Sequence, residues 1–586
     1  MPHRAHLFSL RIADAVRESC LREPYGLTRF GRDVLAGVTV GIIAIPLAMA
    51  LAIASGVAPQ YGLYTAIVAG FVIALTGGSR FSISGPTAAF VVILFPVAEK
   101  YGLGGLLVAT LFSGVLLVAM AFLRLGRFIE YIPEAVTLGF TGGIAIVIAT
   151  LQIKDFLGLS ISAMPEHYID KVGAIFAALP TTHWPSLLVA LATLALMLLW
   201  PRLKTPVPPH LPAVLVGSLV ALAFNHYGLQ VDTIGSRFTY LLPDGGSGHG
   251  IPPILPDFVW PWLQPAADGG SLQWDITTVR ALMLAGFAMA MLGAIESLLC
   301  AVVLDGMTGR RHSSNSELLG QGIGNLIAPF FGGITATAAI ARSTANVRAG
   351  AESPVAAMIH AIVVLLALLA FASQLAYLPM PAMAALLMVV AWNMSEAPKS
   401  VQLLRKAPTS DIAVFVTCLS LTVILDMVIA ITVGILLAAV LFLKEIAAMT
   451  KVSDISGNKR LIDADLPPGW GVYKINGPLF FAAADRVFGE LSVLCKGKSG
   501  VILYMDAVPI LDAGGLSAFG RFVFSCMRTG TQVFICDLQF QPLKTLAKAG
   551  VRPVEGVTRY FPTLKQAVDE VLLASPVRLE PQAVSP

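Results

Sequence analysis

The sequence has 586 residues, of which 56% are hydrophobic and 13% charged, with a mean hydropathy of +0.79 and a formal net charge of +4. Soluble domains carry about 25% charge, so this composition excludes a soluble globular protein, a disordered chain and a nucleic-acid binder. Its six cysteines show no Cys-x-x-Cys spacing, against both a disulfide framework and a zinc site.

Residues 1–33 are polar and basic, with Arg4, Arg11, Arg17, Arg22, Arg29 and Arg32, and read as an N-terminal segment without a cleavable signal. From Val34 to about residue 445 one apolar stretch follows another. At about 20 residues per crossing, fourteen spans are predicted. They fall near 34–52, 60–77, 86–99, 103–123, 134–151, 185–200 and 211–226, then near 280–304, 315–330, 337–351, 354–374, 380–393, 410–427 and 429–443. Arg124, Arg127, Arg202, Lys204, Arg310, Arg311, Arg348, Lys399, Arg405 and Lys406 fall in one set of alternate loops, with the basic N-terminal segment. The long loops near 152–184 and 227–279 fall in the other set. Positive charge gathers on the cytoplasmic side, so both termini are expected there, in agreement with the even span count.

Two spans are too short to cross as straight helices. The first follows Ser82-Ile83-Ser84-Gly85-Pro86-Thr87-Ala88-Ala89; the second follows Gly332-Gly333-Ile334-Thr335-Ala336-Thr337-Ala338-Ala339. Each is a Gly/Ser/Thr cluster, then Thr-Ala-Ala and an apolar half-helix. As spans three and ten of fourteen, they have the relation of two seven-span repeats of opposite topology. Pro86 suits a first helical turn, and Thr335 or Thr337 an N-cap. Two half-helix N-termini meeting near the bilayer midplane make an anion site, because free N–H groups and positive dipole ends converge there. Small residues such as Gly85, Ala88, Ala338 and Ala339 let an anion approach the backbone. Kinked packing helices are the plainer alternative. Arg342, one turn into the second half-helix, is costly in a membrane without a partner or a task and adds positive charge to the site. Glu296, mid-span in Ala294-Ile295-Glu296-Ser297, reads as a proton carrier or sodium ligand, or as the partner of Arg342 in an internal salt bridge.

The stretch Pro59-Gln60-Tyr61-Gly62-Leu63-Tyr64-Thr65-Ala66, followed by Gly77-Gly78-Ser79-Arg80, resembles the mark of the SulP family of sulfate permeases and anion exchangers. Ser84-Gly85-Pro86-Thr87 and Ala341-Arg342-Ser343 fall where that family has its third and tenth helices. The runs at 45–52, 291–309 and 332–343 are most similar to bacterial C4-dicarboxylate carriers within it. The resemblance implies a 7+7 inverted repeat, with a moving core (spans 1–4 and 8–11) and a gate (5–7 and 12–14), in a bacterial inner (plasma) membrane. It implies a substrate site drawn from Ala44, Pro46, Tyr64, Thr87, Ala88, Ala89, Ala338, Ala339, Ile340 and Arg342, with Glu296 as the coupling acid. Sodium-coupled members usually have Asp at the position of Glu296 and hydroxyls where this chain has Cys300 and Ile340. That loss favours a proton over sodium.

Beyond a linker at 446–468, residues 469–575 alternate strands (Gly471–Ile475, Val501–Met505, Thr531–Cys536) with helices, and 576–586 read as a disordered tail. The run Ile510-Leu511-Asp512-Ala513-Gly514-Gly515 resembles the STAS domain loop, with Ala513 and Gly514 where regulatory members carry hydroxyls. A phospho-switch is therefore not expected, and no Walker or Gly-x-Gly-x-x-Gly loop is present to drive transport with ATP. The expectation is a polytopic α-helical membrane protein with a cytoplasmic α/β STAS domain: a proton-coupled uptake transporter of C4-dicarboxylates (succinate, fumarate, aspartate), working by elevator-like alternating access. A sulfate or bicarbonate transporter, an anion channel and a non-transporting sensor are the alternatives. An enzyme is not expected, because His360 and its like have no nucleophile or ligand partner. No cofactor or metal is implied. The expected partners are the anion, protons, the lipid bilayer, a second copy in a homodimer and a cytoplasmic protein on the STAS domain.

Overall fold

The computed structural model describes residues 10–127, 132–161, 164–165, 167–203, 205, 207–241, 246–425 and 427–574. Lys204 and the expected tail at 576–586 lie outside the described residues, as does the start of the N-terminal segment. The chain divides into two compact units, Met1–Ile435 and Leu436–Pro586.

The first unit is helical. Its elements are α1 (Leu27–Ala54), α2 (Pro59–Thr76), strand β1 (Ser84–Gly85), α3 (Ala88–Phe122), α4 (Glu134–Leu157), α5 (Trp184–Leu199) and α6 (His210–His226). There follow α7 (Ile276–Thr308), α8 (Ser314–Ile327), strand β2 (Thr337–Ala338), α9 (Ile340–Arg348), α10 (Val355–Leu375), α11 (Met380–Met394), α12 (Thr409–Ile424) and α13 (Met427–Met449). Among the described residues nine helices are long and apolar enough to cross a membrane. Unbroken apolar runs place them, since lipid offers no partner for an open backbone.

Several bounds differ from the sequence expectation. Helix α1 begins at Leu27, so the basic end of the N-terminal segment is already helical. Within α3 the backbone at Gly102 is not helical, with φ 68° and ψ −167°, so the stretch is two helices joined at a kink, as the predicted spans 86–99 and 103–123 have it. The predicted span 337–351 reduces to the nine-residue α9. Helices Tyr168–Ala178 and Ala397–Lys406 fill stretches read as loops.

Two groups of helices pack internally: α1–α3 with α7–α10, and α4–α6 with α11 and α12. The motif Pro59–Ala66 owes its glycine to the α1–α2 crossing, where a Cβ on Gly62 would lie 2.0 Å from the Ala48 carbonyl oxygen. Gly77–Arg80 wraps a buried carboxylate. Glu317 of α8 accepts from the backbone N–H groups of Gly78 (3.0 Å) and Ser79 (2.9 Å) and from Gln321 Nε2 (3.0 Å). A Cβ on Gly78 would stand 2.4 Å from the Ser313 carbonyl oxygen. A buried charge is tolerated only when hydrogen-bonded in this way.

The second unit contains a five-stranded sheet in the order β3 (Lys451–Asp454), β4 (Trp470–Asn476), β5 (Gly500–Ala507), β6 (Gln532–Cys536) and β7 (Thr558–Phe561). β3 and β4 pair antiparallel, and the remaining pairs are parallel. The residues read as a linker therefore carry the edge strand. Helices α14 (Ala484–Leu494), α15 (Ala513–Thr529), α16 (Phe540–Lys548) and α17 (Leu564–Ala574) follow the strands. One face buries Tyr473, Phe488, Phe519 and Phe522; the other buries Val472, Phe534 and Val571. Asp512 caps α15, accepting from Gly515 N at 2.7 Å, and also ties down Phe481 N at 3.1 Å.

Candidate anion site

β1 and β2 pair antiparallel, Ser84 with Ala338 and Gly85 with Thr337, although about 250 residues separate them in sequence. This short ladder continues as Ala339 N donating to Ile83 O at 3.0 Å and Ile83 N donating to Ser343 Oγ at 2.9 Å. It brings the N-termini of α3 and α9 together from the two halves of the membrane unit. Gly/Ser/Thr-rich sequence suits both strands, because side chains of any size would separate the backbones.

A buried polar frame holds the ladder. Asn325 of α8 clasps Ala336, accepting from its N–H and donating to its carbonyl, both at 2.8 Å. Thr335 pairs with Thr110 of α3 at 2.7 Å, Thr337 with Ser297 of α7 at 2.5 Å, and Ile334 N donates to Thr65 Oγ1 at 2.8 Å. Gln321 donates to Ser84 Oγ at 3.0 Å. Every backbone group opened by a broken helix inside a membrane needs such a partner.

The helix ends themselves are uncapped by side chains. The N-cap of α3 is Thr87, so Pro86 lies just before the helix and not in its first turn, and the N-cap of α9 is Ala339; neither Thr335 nor Thr337 caps a helix, since both are spent on the frame. Thr87 Oγ1 instead donates to Glu296 Oε2 at 2.9 Å. Glu296, in the middle of α7, is half-buried. Arg342 is 2% exposed and donates from Nη2 to the Pro86 carbonyl at 2.6 Å, spanning from α9 to the turn before α3. Its Nε and Nη1 have no hydrogen-bond partner among the described residues. A Cβ on Gly85 would meet Nη1 at 2.9 Å, so a larger residue there would push the guanidinium aside. Among the described residues no direct salt bridge joins Arg342 to Glu296, although the two charges lie close enough to attract each other.

The structure thus brings Thr87, Ala88, Ala89, Ala338, Ala339, Arg342 and Glu296 together. Thr87, Ala88, Ala89 and Ala338 are buried, Ala339 is half-buried and Ile340 is exposed. Ala44 and Pro46 are buried in α1, which packs beside α9. Tyr64 is buried in α2. It meets Tyr61 edge to face, at 6.1 Å between centroids, and both rings border Gly332. Sequence reading missed Ser297, Gln321, Asn325 and Thr110. Polar residues inside apolar spans were the available signal.

The sulfate permease family profile matches residues 30–420, and the STAS domain profile matches 462–567. The chain belongs to the sulfate permease family. Among its relatives, YvdB of Bacillus subtilis (strain 168), provisionally named a sulfate transporter, is 38% identical over 540 residues, covering 92% of this chain and 97% of its own. The bicarbonate transporter BicA of Picosynechococcus is 27% identical over 553 residues, covering 88% and 90%. Its transmembrane domain superposes with a TM-score of 0.59 at 26% identity, covering 71% of this chain and 98% of that domain. Murine Slc26a9, an anion transporter solved in the inward-facing state, shares the fold at a TM-score of 0.81 and 19% identity, covering 97% and 95%. This chain is thus a polytopic anion transporter of the sulfate permease family with a C-terminal STAS domain, and its relatives are transporters rather than enzymes.

Proposed function

We propose that this chain is a proton-coupled secondary transporter of small anions, C4-dicarboxylates such as succinate, fumarate and aspartate foremost. The substrate is held between the N-termini of α3 and α9 and carried by movement of the α1–α3/α7–α10 core against the α4–α6/α11–α12 group. The observation that carries this reading is Arg342: a buried guanidinium with two unmatched donors beside two helix ends without side-chain caps. Such donors are costly unless an anion accepts from them.

Coupling follows from Glu296. A carboxylate hydrogen-bonded to Thr87, at the N-cap of α3, repels an incoming dianion unless it takes up a proton. Proton and substrate then bind together and leave together. Ala88, Ala89, Ala338 and Ala339 supply close backbone approach, while Ala44, Pro46, Tyr64 and Ile340 border the path. We place both termini in the cytoplasm of a bacterial plasma membrane, by the loop charge asymmetry, and propose a homodimer whose STAS domains face the cytoplasm.

A second reading, sulfate or bicarbonate as the substrate, is favoured by the names of the relatives. Uptake into proteoliposomes separates the two. Succinate uptake raised by an inward proton gradient and indifferent to sodium supports the dicarboxylate reading. Sulfate or bicarbonate uptake without succinate uptake replaces the substrate but keeps the site, and uptake that ignores the proton gradient overturns the coupling.

A further inference from the structure

A second concentration of charge lies away from the helix ends, where the N-terminal segment meets the start of α1. The Glu23 carboxylate is held by three arginines from three separate stretches of chain. Oε1 accepts from Arg80 Nη1 and from Arg310 Nη1, each at 2.8 Å, and Oε2 accepts from Arg29 Nη2 at 3.3 Å. Arg29 opens α1, Arg80 closes the Gly77–Arg80 motif and Arg310 follows α7. A cavity of about 240 Å³ adjoins them, lined by the same three arginines with Glu352, Phe81 and Thr308.

The cradle offers more donors than Glu23 uses. The Arg80 side chain is 11% exposed, and its Nε is buried with no partner among the described residues. Glu18 and Glu352 take the outer edges, Glu18 on Arg80 Nη2 at 3.4 Å and Glu352 on Arg29 Nε at 2.7 Å. A carboxylate has two oxygens; a tetrahedral oxyanion presents three or four to the same guanidinium forks, and Arg is the residue matched to that geometry. The Arg80 hydrogen bond, above all, holds the Glu23 carboxyl below its ordinary range. It therefore sits in the cradle as an anion at neutral pH.

We propose that the three-arginine cradle is an oxyanion-binding site, separate from the transported-anion site, in which Glu23 is a tethered occupant. A phosphate-class oxyanion, free or on a lipid headgroup, displaces it and frees the N-terminal segment. That segment is also docked by hydrogen bonds from Ala13 N to Thr76 O at 2.9 Å, Ala15 N to Gly77 O at 3.3 Å and Arg11 N to Ser316 Oγ at 3.0 Å, by Glu18 on Arg80, and by buried Ala15 and Ser19. Anion binding is thereby coupled to the turn between α2 and β1, which leads directly into the ladder.

Hydrogen–deuterium exchange of the purified full-length protein in nanodiscs tests this, with inorganic phosphate as the probe. In phosphatidylcholine discs, phosphate is expected to raise exchange across residues 10–23 and to protect the peptide spanning 77–85. Glu23→Gln is expected to raise exchange across 10–23 without phosphate and to shift half-protection of 77–85 to at least tenfold lower phosphate. Arg80→Ala is expected to abolish the response; Arg310→Ala, at a half-exposed side chain, serves if that variant misfolds. The same changes in phosphatidylglycerol discs without added phosphate assign the site to lipid headgroups. A response to neither phosphate nor phosphatidylglycerol overturns the proposal, as does a phosphate response that survives both arginine substitutions or is unaltered in Glu23→Gln.

Discussion

Asn325→Leu tests the frame that sets the ladder. Asn325 is fully buried and makes three side-chain hydrogen bonds, two to the backbone of Ala336 and one donated to Gln321 O at 2.9 Å. Leucine has nearly the same volume but orphans the Ala336 N–H and C=O one residue before β2. Each unsatisfied buried group costs about 1–3 kcal/mol, giving about 2–6 kcal/mol. Apolar compensation is absent, because lipid tails are as apolar as leucine, and hydrogen bonds between membrane helices measure near the low end. The expected loss is therefore about 2 kcal/mol. The assay is the thermal midpoint of the purified protein in one detergent, read by size-exclusion recovery, paired with the KM for uptake. A lower midpoint and a raised KM in Asn325→Leu are expected, since β2 and the α9 N-terminus then lose their register. A wild-type midpoint together with a wild-type KM would refute the reasoning.

Three further substitutions probe other parts of the account. Gly78→Ala forces a Cβ to 2.4 Å from the Ser313 carbonyl oxygen, so little folded protein should be recovered, whereas normal yield and midpoint would show that the loop gives way. Asp512→Ala removes the α15 cap and should cost the STAS domain about 0.5–2 kcal/mol, read as greater protease sensitivity of residues 479–515 with transport retained. Arg342→Ala should weaken anion affinity at the helix ends, and unchanged affinity in a binding assay would remove Arg342 from the site. The pH behaviour of the Glu23 cradle has a definite sign. Its folded value lies below the ordinary 4.5, so docking is fully favoured above that value and is lost as pH falls through the lower folded one. Protection of residues 10–23, after correction for the intrinsic pH dependence of amide exchange, should be flat from pH 7 to 5 and fall only below pH 4.5.

The sequence showed much of this through particular residues. The two Thr-Ala-Ala clusters marked the broken helices because glycine, serine and threonine stand out against leucine-rich spans. Glu296 and Arg342 stood out as charges in apolar surroundings. What hydropathy could not show was which group each charge meets. Glu296 finds Thr87 and Arg342 finds the Pro86 carbonyl, through a fold that closes about 250 residues of chain. The break inside α3 was legible, since the non-helical Gly102 falls between the predicted spans 86–99 and 103–123. Helix caps were misread: Thr335 and Thr337 have the right chemistry for a cap, but Thr110 and Ser297 claim their hydroxyls. The β3 edge strand escaped notice because a four-residue strand in a polar stretch leaves little periodic signal.

The central claim, that anion and proton meet between α3 and α9, rests on Glu296. The most direct measurement is the pH profile of substrate uptake into proteoliposomes by wild type and Glu296→Gln, with Thr87→Val alongside. The account predicts wild-type uptake that rises as the external pH falls, and Glu296→Gln uptake that has lost this dependence while still binding the anion. A Glu296→Gln profile identical to wild type would contradict it and move the coupling proton to another group.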